Sequence, residues 1–245
     1  MILIFYAFAR EIRPFRRRVS GRAPLAIAGL RGFRGRLGAA EVVCVATGLG
    51  PRRAIDCARR AMEALAPDLV VATGVAGALV DEARPGNLVL ADRLVFESDN
   101  RPLTITLPAA AVARFAVVLD AAGVPFTSGA VLTSARILGD GPAKRAARAR
   151  TGAVAVDMES AAIAAEAAHR GLRFACLRAV LDCIDEEVVG AELAGPEGEV
   201  RPLAVAAFVL RNPGAMTGLA RMMRALNRAT ASLAHALEVL IRGGA

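Results

Sequence analysis

Two carboxylate positions stand out by their setting. In Val156-Asp157-Met158-Glu159-Ser160, acids sit where an apolar, β-branched run gives way to the apolar helical stretch Ala161-Ala162-Ile163-Ala164. Further on, Arg178-Ala179-Val180-Leu181-Asp182 places another acid at the end of the next apolar run. Ligands of open α/β sheets lie outside the carboxyl ends of the strands, so acids at two such ends face one cleft. Facing carboxylates can move protons and stabilise developing charge. Taken singly, Asp157 or Glu159 reads equally well as a helix N-terminal charge favoured by the macrodipole. It is the pair at matching strand ends that points to chemistry. Two glycine-bearing segments, Thr47-Gly48-Leu49-Gly50 and Thr73-Gly74-Val75-Ala76-Gly77, also follow apolar runs. Their backbone amides can approach an anion or a sugar closely, although a tight strand exit accounts for either one alone.

These residues need a scaffold of strands. Runs at Ile2 to Tyr6, Val42 to Ala46, Leu69 to Thr73, Leu88 to Ala91, Ala130 to Leu132, Ala153 to Val156 and Phe174 to Val180 read as strands. Most are continuous rather than alternating, which predicts a sheet covered on both faces. Helical patterns fall between them at Pro51 to Leu65, Ala109 to Ala122, Ser160 to Arg170 and Met216 to Ile241. Pro51 suits a first helical turn, and Pro85-Gly86-Asn87 marks a turn. The expectation is an α/β fold with three layers, α/β/α, around a mixed, mostly parallel central sheet. No linker divides the 245 residues, so residues 1–245 read as a single domain, with 201–245 as a C-terminal helical extension.

Composition excludes several classes. Hydrophobic residues make up 55% of the chain, yet charged residues interrupt every run before it reaches spanning length. Met1 to Ala9 lacks the basic flank and cleavage pattern of a signal peptide and reads as a retained first strand. Cys44, Cys57, Cys176 and Cys183 are scattered without a CxxC pair, as expected of reduced structural thiols in the cytoplasm. The net charge of +8 invites a nucleic-acid reading, but only Lys144 among 31 basic residues is lysine, a skew that biased coding explains equally well. With no Trp and a single Tyr, the chain lacks stacking platforms, and nucleic acid is not expected as a partner. Neither a metal cluster nor a nucleotide-cofactor fingerprint is present, so cofactor-independent chemistry is expected, with phosphate left open as a cosubstrate. His169 and His235 read as surface or packing residues.

In order and spacing, Ala9-Arg10-Glu11-Ile12, Thr47 to Gly50, Pro67 to Gly77, Val156 to Ala164 and Arg178 to Asp182 resemble the nucleoside phosphorylase and nucleosidase superfamily. The superfamily includes purine nucleoside and uridine phosphorylases and methylthioadenosine/S-adenosylhomocysteine nucleosidases. The resemblance implies that Glu159 binds the ribose hydroxyls, with Met158 beneath the sugar, and that Asp182 serves the purine at N7 as the base departs. It implies that Glu11 orients an attacking water, where a plain surface charge at a strand exit is the alternative. It also places Gly48, Gly74, Val75 and Ala76 against the substrate. N-ribosyl cleavage develops cationic character on the sugar and negative charge on the base, so acids at the two ends address opposite charges. The phosphorylase branch favours Arg and Ser in the stretch occupied here by Ala72 and Val75. That difference favours water as the nucleophile, whereas Arg10, Arg52 and Arg53 near the candidate loops keep phosphorolysis open.

The final helix carries Leu219, Met223, Leu226, Leu233, Leu237 and Leu240 at three-four spacing, edged by Arg221, Arg224, Arg228 and Arg242. Such a stripe packs on a core or a subunit, and it also suits an anionic membrane surface. With the hydrophobic composition and the Asp157-Met158-Glu159-Ser160 form of the motif, it resembles the hopanoid-associated phosphorylase-like branch. That resemblance implies release of adenine from adenosylhopane, a lipid-linked purine nucleoside, with peripheral membrane contact. A soluble methylthioadenosine, S-adenosylhomocysteine or futalosine nucleosidase is the alternative. A basic amphipathic binding protein without catalysis is the reading from outside the enzymes. The resemblance also implies a homo-oligomer.

Overall fold

In a computed structural model, which describes residues 1–27, 29–97, 103–187 and 215–244, the first strand β1 (Ile2–Tyr6) is buried at every position. It lies between two parallel neighbours, β4 (Ala40–Ala46) and β5 (Leu69–Ala78), with Ile4 opposite both Cys44 and Val71. Successive side chains of these strands point to opposite faces, and each face is covered. Leu3, Phe5, Val43, Val45, Val70 and Ala72 pack under α2 (Pro51–Leu65) and α5 (Ser160–His169). Ile2, Ile4, Val42, Cys44 and Val71 pack under α1 (Ala9–Arg16), α3 (Ala109–Ala121) and α6 (Ala215–Arg242). A strand buried on both sides has no reason to alternate, which is why these runs read as continuous apolar stretches.

β5 is long enough to serve two sub-sheets. Along its length it pairs in parallel with β10 (Arg173–Asp182), and at Gly77 and Ala78 it pairs antiparallel with β9 (Ala155–Asp157). β10 continues to β6 (Leu88–Phe96), β6 to β8 (Phe126–Thr133), and β8 back to β9. These five strands therefore close on themselves and leave no free edge within the ring. The carboxyl ends of β1, β5 and β10, which are parallel, all point to one side of the sheet.

The sheet is mixed, as the sequence leads one to expect, but its antiparallel share is larger. Among the described residues, parallel and antiparallel ladders are equal in number, because three strands absent from the sequence reading all pair antiparallel. β2 (Ser20–Pro24) and β3 (Arg31–Leu37) extend the outer edge beyond β4, and β7 (Leu103–Thr106) hangs on β6. β2 is exposed throughout and β3 alternates Arg with buried Phe33 and Leu37, so neither offers a continuous apolar run. Cross-strand pairing holds β2, while β3 also anchors through Phe33 and Leu37 in the core beside β4. Arginine likewise conceals α1 and α4 (Gly141–Thr151) in the sequence. The Asp140 side chain caps α4 by accepting from Ala143 N at 2.8 Å.

From Leu226 onward, α6 is a core helix. Leu226 is buried, and Ala229, Leu233, Leu237 and Leu240 are buried in the same cluster as β1 and β4, while Leu219 and Met223 nearer its start are half-buried. Arg18, just past α1, reaches Glu238 of this helix at 2.6 Å. The segment Leu203 to Pro213, part of the expected extension, lies outside the described residues.

Candidate active site

Asp157 and Glu159 take different roles at the start of α5. Asp157, two residues ahead of the N-cap position that Glu159 holds, serves the helix start: its Oδ1 accepts from the amides of Glu159 and Ser160, each at 3.2 Å, and from Thr133 Oγ1 at 2.7 Å. Thr133 Oγ1 in turn accepts from Ala161 N at 2.8 Å, satisfying another amide of the first turn. The side chain of Glu159 is thereby released from capping its own helix. It reaches across to α2, where Oε1 accepts from Gly50 N at 2.9 Å.

Arg178 of β10 lies beneath both acids and is 1% exposed. Its Nη2 is 2.7 Å from Asp157 Oδ2 and 4.0 Å from Glu159 Oε2. Its Nε and Nη2 donate to Ser160 Oγ at 3.0 and 2.8 Å, and Nη1 donates to Thr73 O at 3.2 Å. Glu11 completes the group from the first turn of α1. Its Oε2 accepts from Ala7 N at 2.7 Å and Phe8 N at 3.2 Å, and its Oε1 accepts from Val75 N at 2.9 Å. This residue is 3% exposed, so the surface-charge reading does not describe its position.

One guanidinium thus faces three buried acids. Burial pushes the Glu159 carboxyl up to about 8, opposed by Arg178 and reinforced by Asp157. Glu11 is raised as well, by burial, against Arg178 and its three amide donors. A carboxyl raised as far as that of Glu159 suits proton exchange near neutral pH. Gly74, between Glu11 and Arg178, has φ of 145°, and a Cβ there would lie 2.6 Å from both Glu11 Oε1 and Arg178 Nη1. Only glycine lets β5 pass this close to the ion group.

Asp182 stands apart from this group, four residues along β10 from Arg178, on the order of 13 Å at a strand's rise. A register shift after Val180 sets Asp182 opposite Gly77. Its side chain is 17% exposed and forms an ion pair with Lys144. Burial raises its carboxyl, and Lys144 pulls in the opposite direction.

The other residues expected to meet substrate lie on β5, just before α5 and just after β4. Gly74 and Ala76 are buried in β5, Val75 and Met158 are half-buried, and Gly48 is buried with its amide donating to Ala7 O at 3.1 Å. Beside Ala7, Phe8, Thr47 and Gly48 opens a cleft of about 610 Å³, also lined by Tyr6, Leu30, Arg10 and Arg53. Arg52 does not line it. His169 and His235 are exposed on helices. Sequence reading assigned no role to Arg178 or Lys144, although the first lies within the quoted motif and the second is the lone lysine.

Residues 2–204 match the model of the Phosphorylase superfamily, and the chain belongs to that family. The 5'-methylthioadenosine/S-adenosylhomocysteine nucleosidase of Geobacillus thermodenitrificans is 29% identical over 205 residues, covering 75% of this chain and 84% of that protein. The same enzyme of Geobacillus kaustophilus is 28% identical over 203 residues, covering 75% of this chain and 85% of the relative. Among solved structures, futalosine hydrolase of Helicobacter pylori superposes with a TM-score of 0.78 at 17% identity, over 98% of this chain and 97% of that one. S-adenosylhomocysteine nucleosidase of Streptococcus pyogenes, in complex with 5-methylthiotubericidin, gives 0.78 at 20% identity, over 100% and 97%. At these identities the likeness establishes the fold.

Proposed function

We propose that this protein cleaves the N-ribosyl bond of a purine nucleoside, releasing adenine, with water as the nucleophile. The observation that carries the reading is Glu11, a buried carboxylate held by three backbone amides beside Arg178 and Glu159. Fixed so tightly, it orients a water toward the sugar and takes up its proton. Glu159 receives the ribose hydroxyls, whose donated hydrogen bonds favour its ionised form over the neutral one. Negative charge there stabilises the oxocarbenium-like sugar. At the far end, Asp182 hands a proton to N7 of the departing base, a step typically worth about 10²–10⁴-fold in rate. These roles require no cofactor.

For the 5' substituent we propose a large apolar group, as in adenosylhopane. Tyr6, Phe8 and Leu30 in the cleft of about 610 Å³ support this with apolar lining, which they share with Arg10, Arg31, Arg53, Asp56 and Arg60. The Geobacillus relatives support the second reading, a methylthioadenosine or S-adenosylhomocysteine nucleosidase. Arg10 and Arg53 in the cleft support phosphate as a competing nucleophile. A homo-oligomer is proposed from the family. Peripheral contact with an anionic bilayer is supported by the second cavity, about 310 Å³, where Arg10, Arg13 and Arg17 face Met223 and Leu226.

Adenine release from detergent-dispersed adenosylhopane and from methylthioadenosine, each with and without phosphate, tests the proposal. Phosphate-independent release from the lipid, lost in Glu11→Gln and Asp182→Asn, is the expected result. Release only with phosphate overturns the water mechanism, and reaction of methylthioadenosine alone overturns the lipid substrate.

A further inference from the structure

Lys144 is the one lysine among 31 basic residues, and it is 0% exposed. A chain that otherwise uses arginine keeps an ammonium at a position closed to solvent. The surroundings explain the choice. Lys144 Nζ reaches Asp182 Oδ2, Cys183 O at 2.8 Å and Glu186 O at 3.0 Å. A tetrahedral ammonium has three donors to match these three converging acceptors, whereas a planar guanidinium spreads its donors in a fork. Among the described residues none hydrogen-bonds the other carboxylate oxygen, Oδ1. β5 contributes only the backbone of Gly77 at this point, and a Cβ on that residue would come 3.3 Å from Asp182 Oδ2.

We propose that Lys144 is the positioning residue of the general acid: it grips Oδ2 of Asp182 and two carbonyls of the turn after β10, leaving Oδ1 to carry the proton. This rests on the reading of Asp182 as the proton donor to the base. In the step itself, the Asp182 proton passes to N7 while the electron pair of the N-ribosyl bond stays with the base. Asp182 becomes a carboxylate paired with the Lys144 ammonium, and solvent then restores the proton. The charges bearing on Asp182 are Lys144 from α4, which favours its ionised form, and Glu186 from the turn after β10, which opposes it. Arg84 and Glu186 act on the neighbouring Cys183.

A lone lysine makes the test direct, because ¹³Cε-lysine labelling gives a single side-chain signal from the intact protein. Adenine is expected to shift that signal in the wild type and leave it unmoved in Asp182→Asn. In Lys144→Met, verified as folded by thermal melting, the alkaline limb of the kcat/KM profile is expected to move up by about 1–3 pH units. A Lys144 signal indifferent to adenine, with Asp182→Asn inactive, overturns the inference and leaves the acid assignment standing. If Lys144→Met does not fold, the wild-type signal decides alone. Release by Asp182→Asn at the wild-type rate overturns the acid assignment and the inference with it.

Discussion

Arg178 holds together acids that would otherwise repel one another in a dry interior. Breaking a buried ion pair by removing one partner typically costs about 3–5 kcal/mol, so Arg178→Met is expected to lower stability by that order in urea unfolding. Glu159 behaves in the opposite way. Its carboxyl is raised in the folded state from 4.5 to about 8, so folding favours the protonated form. The stability contributed by that preference is fully present below pH 4.5 and is lost as pH rises through 8. Glu159→Gln keeps an oxygen for Gly50 N and removes the penalty. Its melting temperature relative to wild type should be unchanged near pH 4.5 and higher by roughly a few degrees above pH 8, while adenine release is lost. Sequence made Glu159 visible through its place in the motif. The resemblance singled out Glu159, but the residues alone did not separate it from Asp157, because both sit at a helix start and only the position of Gly50 at the N-terminus of α2 shows which acid is free to reach away.

At the scale of elements, β5 is the piece most sensitive to small change. Gly74→Ala inserts a Cβ 2.6 Å from Glu11 Oε1 and Arg178 Nη1 on a backbone that L-residues rarely adopt. The expected result is a loss of base release of about 10²-fold or more, of the size that misplacing catalytic groups by an ångström produces, measured by steady-state assay on folded protein. α6 contributes through burial. Leu233→Ala, at a position 1% exposed against the strands, is expected to cost about 2–5 kcal/mol. The bounds of β1 and α2 were legible exactly as they stand, since one is an unbroken apolar run and the other opens on proline with a clear amphipathic period. α1 and α4 were not, because short arginine-rich segments leave too few apolar positions to show a helical period.

At the scale of the whole molecule, no described helix is long and apolar enough to cross a membrane. Flotation with vesicles containing anionic lipid is expected to recover the protein at low ionic strength and to lose it at high salt, where screening shortens the reach of Arg10, Arg13 and Arg17. From its sequence alone the chain showed an α/β fold with strands buried on both faces, and acids at the ends of those strands, because burial imposes continuous apolar runs and chemistry needs polar residues where they stop. Tertiary structure decided the rest: the closed ring of β5, β10, β6, β8 and β9, the sharing of Arg178 among Asp157, Glu159 and Glu11, and the clasp of Lys144 on Asp182. Those pairings join residues far apart in the chain, and the distances and desolvation that set their chemistry exist only once the strands have come together.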